Sequence, residues 1–335
     1  MIGYNKIIDQ TSQTHGFYLQ DDWEIEKELD IVLGARIDKN NFIDNAVIIP
    51  RANILYKPIK DLSLRGTFST GYRAPQAFDE DLHIEFVSGT VKMIQNGKNL
   101  RPEYSNSLSL SADYVLRLFD VPFSISAEFF NTKINDAFAL KPIGQNENGA
   151  EIMERHNANS ATVTGGTIEL QANPSKVFNL KAGFTIQSSK YSEAIVWSDG
   201  DPDNGIAAQS SDKLLRTPNQ YGFFTINSQI FENLNLDLSS IVTGEMYTPH
   251  FAGGITPSGE VHSKDELVRT RPFLEINGKL TYELVTYPDV ELYLGVQNIF
   301  NEYQKDFDRG VNRDSGYIYG PGRPRTIYGG IKLKV

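Results

Sequence analysis

Cysteine is absent from the 335 residues, which removes disulfide staples, thiolate metal ligands and cysteine nucleophiles from consideration. No stretch approaches the ~18 to 20 consecutive apolar residues that a membrane-crossing helix needs. Positive charge is short as well. A formal net charge of −10 is the wrong sign for a nucleic-acid groove. The opening MIGYNKIIDQ has no basic segment leading into an apolar one, so it does not read as a secretion signal. Helical periodicity, heptads and composition breaks are also missing, and residues 1–335 read as a single domain. What is plentiful is aromatic side chain, 11% of the chain, within a mean hydropathy of only −0.35. A transmembrane β-barrel combines these properties, because half of every strand is polar and its hydropathy signal is diluted.

The stretch from Leu62 to Ser111 sets the pattern. Leu62, Leu64, Phe68 and Tyr72 share one parity, and Ser63, Arg65, Thr67 and Ser69 the other. A period of two is a strand with one apolar and one polar face. Pro75 stops it, and after a long loop Leu108, Leu110, Ala112 and Tyr114 begin the same alternation again. The rhythm persists to the end of the chain: Ile31, Leu33 and Ile37 oppose Asp30, Arg36 and Asp38, and Ile327, Ile331 and Leu333 oppose Tyr328, Lys332 and Lys334.

Tight turns are expected at Glu26–Glu28, Lys57–Asp61, Phe119–Pro122, Asn173–Val177, Phe231–Leu234 and Tyr287–Val290. Between them fall polar, mostly longer connections at Asp38–Asn45, Arg73–Leu100, Lys141–Gly149, Ser192–Asp212, Pro249–Leu267 and Tyr303–Gly316. Strict short–long alternation is the signature of an antiparallel up-and-down barrel with turns at one rim and loops at the other, whereas a soluble sandwich mixes in crossovers. The reading is all-β, with about thirteen strands. Phe119, Phe178, Phe231 and Tyr287 stand beside the short turns, where an aromatic girdle belongs.

Few residues nominate chemistry. His15, His83, His156, His250 and His262 form no local ligand pair, and no serine sits in a nucleophile elbow, so the chain does not read as an enzyme. Asp199, Asp201 and Asp203 alternate in a polar loop, a spacing that suits a Ca²⁺ ion as the one cofactor considered. The run Asp79-Glu80-Asp81 with Glu85 is a lesser version of it, and Arg323 and Arg325 could pair with carboxylates across a lumen. Phe78, Trp197, Phe251, Tyr191 and Tyr247 are the loop aromatics that could touch a ligand, Tyr191 and Tyr247 being better suited to an outer girdle.

An ordered set of short motifs resembles one family, the TonB-dependent outer-membrane receptors. Tyr18-Leu19-Gln20-Asp21-Asp22-Trp23, Leu33-Gly34-Ala35-Arg36-Ile37-Asp38 and Pro50-Arg51-Ala52 resemble its barrel strands. Phe68-Ser69-Thr70-Gly71-Tyr72-Arg73-Ala74-Pro75 is similar to its most recognisable motif, followed by Leu100-Arg101-Pro102-Glu103. Thr164-Gly165-Gly166-Thr167-Ile168-Glu169 resembles a later strand with one residue inserted, and Gly295-Val296-Gln297-Asn298-Ile299-Phe300-Asn301 and Gly320-Pro321-Gly322-Arg323-Pro324-Arg325 resemble the last two motifs. The resemblance implies the C-terminal part of a barrel of about 22 strands, sited in the outer membrane of a Gram-negative cell. It assigns an architectural role to Tyr72, Arg73, Pro75, Glu103, Asn298, Pro324 and Arg325. It also implies partners: outer-membrane lipid, the receptor's plug and N-terminal strands, TonB acting through that plug, and a scarce nutrient. A ferric siderophore or similar metal chelate is favoured over cobalamin, haem or oligosaccharide. A passive barrel or adhesin, and a soluble β-rich binding protein, stay open as alternatives. The family's aromatic last residue is replaced by Val335.

Overall fold

A computed structural model describes residues 2–3, 6–7, 9–76, 92–118, 121–145, 151–284, 289–311, 313–314 and 316–334. One antiparallel sheet dominates it. Its strands are β1 (Thr14–Glu26), β2 (Leu29–Asn40), β3 (Val47–Ile59), β4 (Leu62–Arg73), β5 (Glu103–Leu118), β6 (Val121–Asn135) and β7 (Ser160–Ser175). They continue through β8 (Phe178–Ser198), β9 (Gln220–Phe231), β10 (Leu234–Thr243), β11 (Phe273–Leu284), β12 (Asp289–Gln297) and β13 (Thr326–Lys334). Each pairs with its neighbours in sequence, an unbroken up-and-down path from β1 to β13. The expected count and order hold. Among the described residues β1 and β13 do not meet, so the sheet is an open wall with two free edges.

Register follows from the alternation. Leu64 faces Ala112, Leu110 faces Phe129, Ile168 faces Phe184 and Leu280 faces Leu294, so apolar residues line up across the wall on one face. That face is bare of protein: Leu110 is 51% exposed, Ile168 57% and Leu294 59%. A sandwich would have buried these side chains against a second sheet, and their exposure excludes it. At about 25 cal/mol per Å², an apolar wall of this extent is unfavourable in water and favourable in lipid. The other face is polar and carries ion pairs between adjacent strands, Lys181 with Glu169 at 2.9 Å and Lys279 with Asp237 at 3.2 Å. Asp21 is an exception on the apolar face of β1, in register with Leu33, where the Trp23 indole N–H donates to it at 2.6 Å.

Glycines on the polar face let aromatic rings lie flat across the ladder. Tyr293 is in register with Gly330 and Tyr328 with Gly295, so each ring covers the glycine opposite, and a Cβ at either glycine would overlap that ring. Phe223 covers Gly183 in the same way. Of the expected girdle residues, Phe178 opens β8 and Phe231 closes β9, beside short turns; Phe119 and Tyr287 lie outside the described residues.

The loop rim differs from the expectation of plain polar connections. β8 runs for 21 residues, against the ~9 to 11 that cross a membrane, and its extension is paired by Gln209–Lys213. Phe138–Gln145 and Glu151–Asn157 form a hairpin, joined in parallel by Lys92–Asn96 from the preceding long loop. Tyr247–His250 pairs with Glu266–Arg269. The buried clusters sit under these loops: Ile43, Val47 and Ala74 with Tyr72 against them, and Phe273, Tyr317 and Tyr319.

Replacing Gly295 with valine pushes Cβ into the Tyr328 ring, with an expected loss of about 1 to 3 kcal/mol. Gly322→Ala, with open space around it, should change little. Urea unfolding of both variants in detergent micelles checks the contrast.

Candidate functional site

At the loop rim, three connections are tied into one knot by a residue that the sequence did not single out. Arg216 has φ of 56°; its backbone N–H donates to the Tyr247 carbonyl at 2.8 Å, and its guanidinium donates to the carbonyls of Ile318, at 2.8 Å, and Gly316. Loops 199–219, 244–272 and 298–325 are therefore joined through one side chain.

Beside it stands a column of three parallel rings. His250 stacks on His262 with centroids 3.7 Å apart and on Tyr317 at 3.8 Å, each pair within 7° of parallel. His250 Nε2 meets Asp308 Oδ1 at 3.0 Å, and the Asp308 side chain is fully buried. His262 Nε2 is buried without a partner among the described residues. Burial, then the neighbouring His250, holds the His262 pKa below the ordinary value of 6.5. Lys264 holds the Glu266 carboxyl below the ordinary carboxylate range. The Tyr317 and Tyr319 hydroxyls both donate to Asp306, at 2.8 and 2.6 Å. Burial first and that carboxylate second push the Tyr319 phenol up to about 12 and Tyr317 higher still. Both therefore remain donors at neutral pH.

The carboxylates of this knot are spent on backbone amides. Asp265 accepts from Ala252 N–H at 2.8 Å and from the Ser198 hydroxyl. Asp314 accepts from Phe251 N–H at 2.9 Å and Gly316 N–H at 2.8 Å, and Asp308 from Asp314 N–H at 3.0 Å. Asp201 caps the short 3₁₀ turn Pro202–Asn204, accepting from Asp203 N–H and from Asn204 N–H and Nδ2. Those donors hold its pKa low. Among the described residues no three His, Asp or Glu side chains converge as a metal-binding group, at Asp199, Asp201 and Asp203 or elsewhere.

Two of the candidate ligand aromatics come together. Trp197, near the end of the β8 extension, meets Phe251 edge to face at 5.7 Å, and its indole N–H is buried without a partner among the described residues. Tyr191 lies further down β8, in register with Ala161. Tyr247 lines a polar cleft of about 250 Å³ with Gln220, Glu245 and Arg269. Phe78 and the acidic run Asp79–Asp81 with Glu85 lie outside the described residues.

The motif residues bind the rim to the wall. Tyr72 donates to Asp38 at 3.3 Å, and Asp38 also takes Arg36 Nε at 2.6 Å. Arg73 and Glu103 are in register, 3.7 Å apart, and Arg73 lies over the Phe138 ring whose backbone N–H donates to Glu103. Pro75 follows the last residues of β4, beside buried Ala74. Asn298, 1% exposed with φ of 48°, uses every polar group. Its backbone N–H donates to Asn277 Oδ1, its Nδ2 to the carbonyls of Glu302 and Arg323, and its Oδ1 accepts from Glu302 N–H, each at 2.8 Å. Asn301 accepts from Arg325 N–H at 2.9 Å, and Pro324 offers its carbonyl to the Thr326 hydroxyl. Arg323 and Arg325 thus contribute backbone rather than the expected carboxylate pairs, which neither makes among the described residues. Their side chains are exposed at the rim.

Two outcomes follow. Asn298→Ala leaves buried carbonyls and an amide unpartnered at a left-handed position, and a loss of about 2 to 4 kcal/mol is expected, read as faster proteolysis within 298–325. Acidification should loosen the knot. Because the closed loops lower the His262 pKa, opened loops take the proton more readily, so the stabilisation is complete above 6.5 and fades as pH falls below it. Glu266 adds to the loss below 4.5. Protection factors for amide hydrogen exchange across 251–265, taken relative to the intrinsic rate at each pH, should fall between pH 7.5 and 5, and His262→Phe should flatten the part of that response near pH 6.

The wall and its rim match known proteins. A family model described as TonB dependent receptor-like, beta-barrel, matches residues 3–299. Among solved structures, the siderophore receptor PirA from Acinetobacter baumannii aligns with a TM-score of 0.66 at 18% identity, over 96% of this chain and 46% of its own. The FrpB iron transporter from Neisseria meningitidis gives 0.62 at 16%, over 96% and 45%. The ferric enterobactin receptor PfeA from Pseudomonas aeruginosa gives 0.65 at 14%, over 96% and 44%. The chain therefore spans about half the length of the receptors it matches. A comparison with curated proteins finds no matching sequence. Members of the matching family are outer-membrane receptors and transporters rather than enzymes. With nine-tenths of its length inside that family's barrel and its strands following one another in up-and-down order, the chain belongs to the TonB-dependent receptors.

Proposed function

We propose that this chain forms the C-terminal wall of an outer-membrane receptor that takes up a scarce nutrient, a ferric siderophore or similar metal chelate, with energy delivered by TonB. The observation that carries the reading is the pairing of an exposed apolar wall with a rim of loops knotted into fixed positions. The first belongs in lipid; the second holds a binding surface still above it. Residues 1–335 act as one domain, and the plug and remaining strands of the same receptor meet its polar face and its free edges. The TonB contact belongs to the plug.

Within the rim, Trp197 and Phe251 are the ligand contacts, with Tyr247, Tyr191 and Phe78 around them. The Trp197–Phe251 pair offers rigid aromatic area, which suits the flat face of a metal chelate. Ca²⁺ at Asp199, Asp201 and Asp203 is a lesser proposal, since Asp201 already serves its own loop. A passive barrel or adhesin would leave the rim aromatics without a chelate to bind.

The test is ligand binding by the receptor carrying Trp197→Ala and Phe251→Ala. Ferric-chelate affinity, followed by fluorescence quenching, should fall about tenfold or more for each, the size seen when an anchoring aromatic is removed. Unchanged affinity with an intact fold would reject the chelate site, and uptake that persists without TonB would favour the passive barrel.

A further inference from the structure

The apolar face of the wall ends, toward the long loops, in a row of lysines. Register places Asn106, Lys133, Thr162 and Lys190 side by side on β5 to β8, with Lys213 of the appended strand beside Lys190. On the same parity, the row two steps toward the short turns holds Leu110, Phe129, Gly166 and Ile186. The lysines therefore stand about 10 Å beyond the apolar band once strand tilt is allowed for, which is headgroup depth.

Lys133 and Lys190 are exposed, whereas the opposite parity at this level is covered: Ala161 is 2% exposed and Ser189 5%. The two ammonium groups accordingly project away from the loops, on strands separated by β7 alone, about 10 Å apart. Neither has an ion pair or hydrogen bond among the described residues. The carboxylates near them are occupied, Asp136 by Arg101 and Asp212 by Lys213 at 3.6 Å. Free positive charge is unexpected on a chain of net charge −10, and in water two unpaired lysines facing one way gain nothing.

We propose that Lys133, Thr162 and Lys190, extended by Lys213, form a docking surface for the phosphate-bearing headgroups of the outer leaflet. The inference rests on the reading that the wall spans the outer membrane with its long loops outward. Phosphates arriving at this depth meet two ammonium groups and the Thr162 hydroxyl in one line, and the partly desolvated interface strengthens each contact over its value in water.

The experiment compares variants of the full chain folded in detergent micelles, titrated with lipopolysaccharide and with the same glycolipid stripped of its phosphates. The double variant Lys133→Gln with Lys190→Gln should bind intact lipopolysaccharide about 5- to 30-fold more weakly, from two contacts of ~0.5 to 1 kcal/mol each. The double arginine variant should stay within about 2-fold of wild type, and Lys176→Gln, beside a short turn, should match it. Added salt should erase the difference between intact and stripped glycolipid. Equal binding by the double glutamine variant, or equal binding of the stripped glycolipid, would overturn the proposal. Insertion into phospholipid vesicles, measured in parallel, separates the two readings: a wild-type chain that inserts but binds without regard to charge removes only the docking surface. A chain that does not insert removes the membrane reading and this proposal with it.

Discussion

Everything in this molecule depends on the pairing of backbone amides and carbonyls between successive strands. In a hydrocarbon layer an unpaired group costs several kcal/mol, because no water is present to replace the lost partner. The path from β1 to β13 meets that demand across the wall and, among the described residues, leaves it unmet along the outer sides of Thr14–Glu26 and Thr326–Lys334. Those edges are why the wall makes physical sense as part of a larger closed structure. The same demand explains the absence of a central core. On the membrane reading, side chains divide between lipid and a polar interior, and among the described residues the buried apolar clusters lie where loops fold back over the wall.

The rim obeys a different rule. Above the apolar band water is available, and the long connections could have been left solvated. Instead their backbone groups are captured by polar side chains, the buried Asp308, Asp265 and Asn298, the half-buried Asp314 and the exposed Arg216, each serving several partners. Fixing a loop in this way removes the ordering cost that a ligand would otherwise meet on arrival. The stacked His250, His262 and Tyr317 rings make the arrangement sensitive to proton concentration, since the buried Nε2 of His262, at the end of the column, has no partner among the described residues. On the proposed membrane reading, the lysine row below the rim lies where loop gives way to lipid.

Most of the wall was legible in the sequence because its rules are local. Leu108, Leu110 and Ala112 declare a strand face by alternation alone, and the turn after Glu26 follows from two charged residues between two such runs. Register came with it, since a one-residue slip would turn every apolar side chain inward. The rim was not legible, for reasons equally physical. His250 and His262 stack only because the Tyr247–His250 and Glu266–Arg269 strands pair, and twelve residues of separation carry no ligand-like spacing. Arg216 reaches carbonyls a hundred residues away. The motif Arg323-Pro324-Arg325 suggested charge pairing, but its backbone does the holding, and backbone roles leave little trace in residue identity.

The central claim is that one face of this sheet lies in lipid, and the missing cysteines make it directly measurable. Single cysteines placed in turn at each position from Ser107 to Tyr114 on β5, each carrying a fluorophore, can be read for quenching by lipid-soluble nitroxides in vesicles. The account predicts a period of two, with positions 108, 110, 112 and 114 quenched by lipid and the residues between them quenched by water-soluble agents instead. Equal quenching along the strand, or the opposite phase, would contradict it.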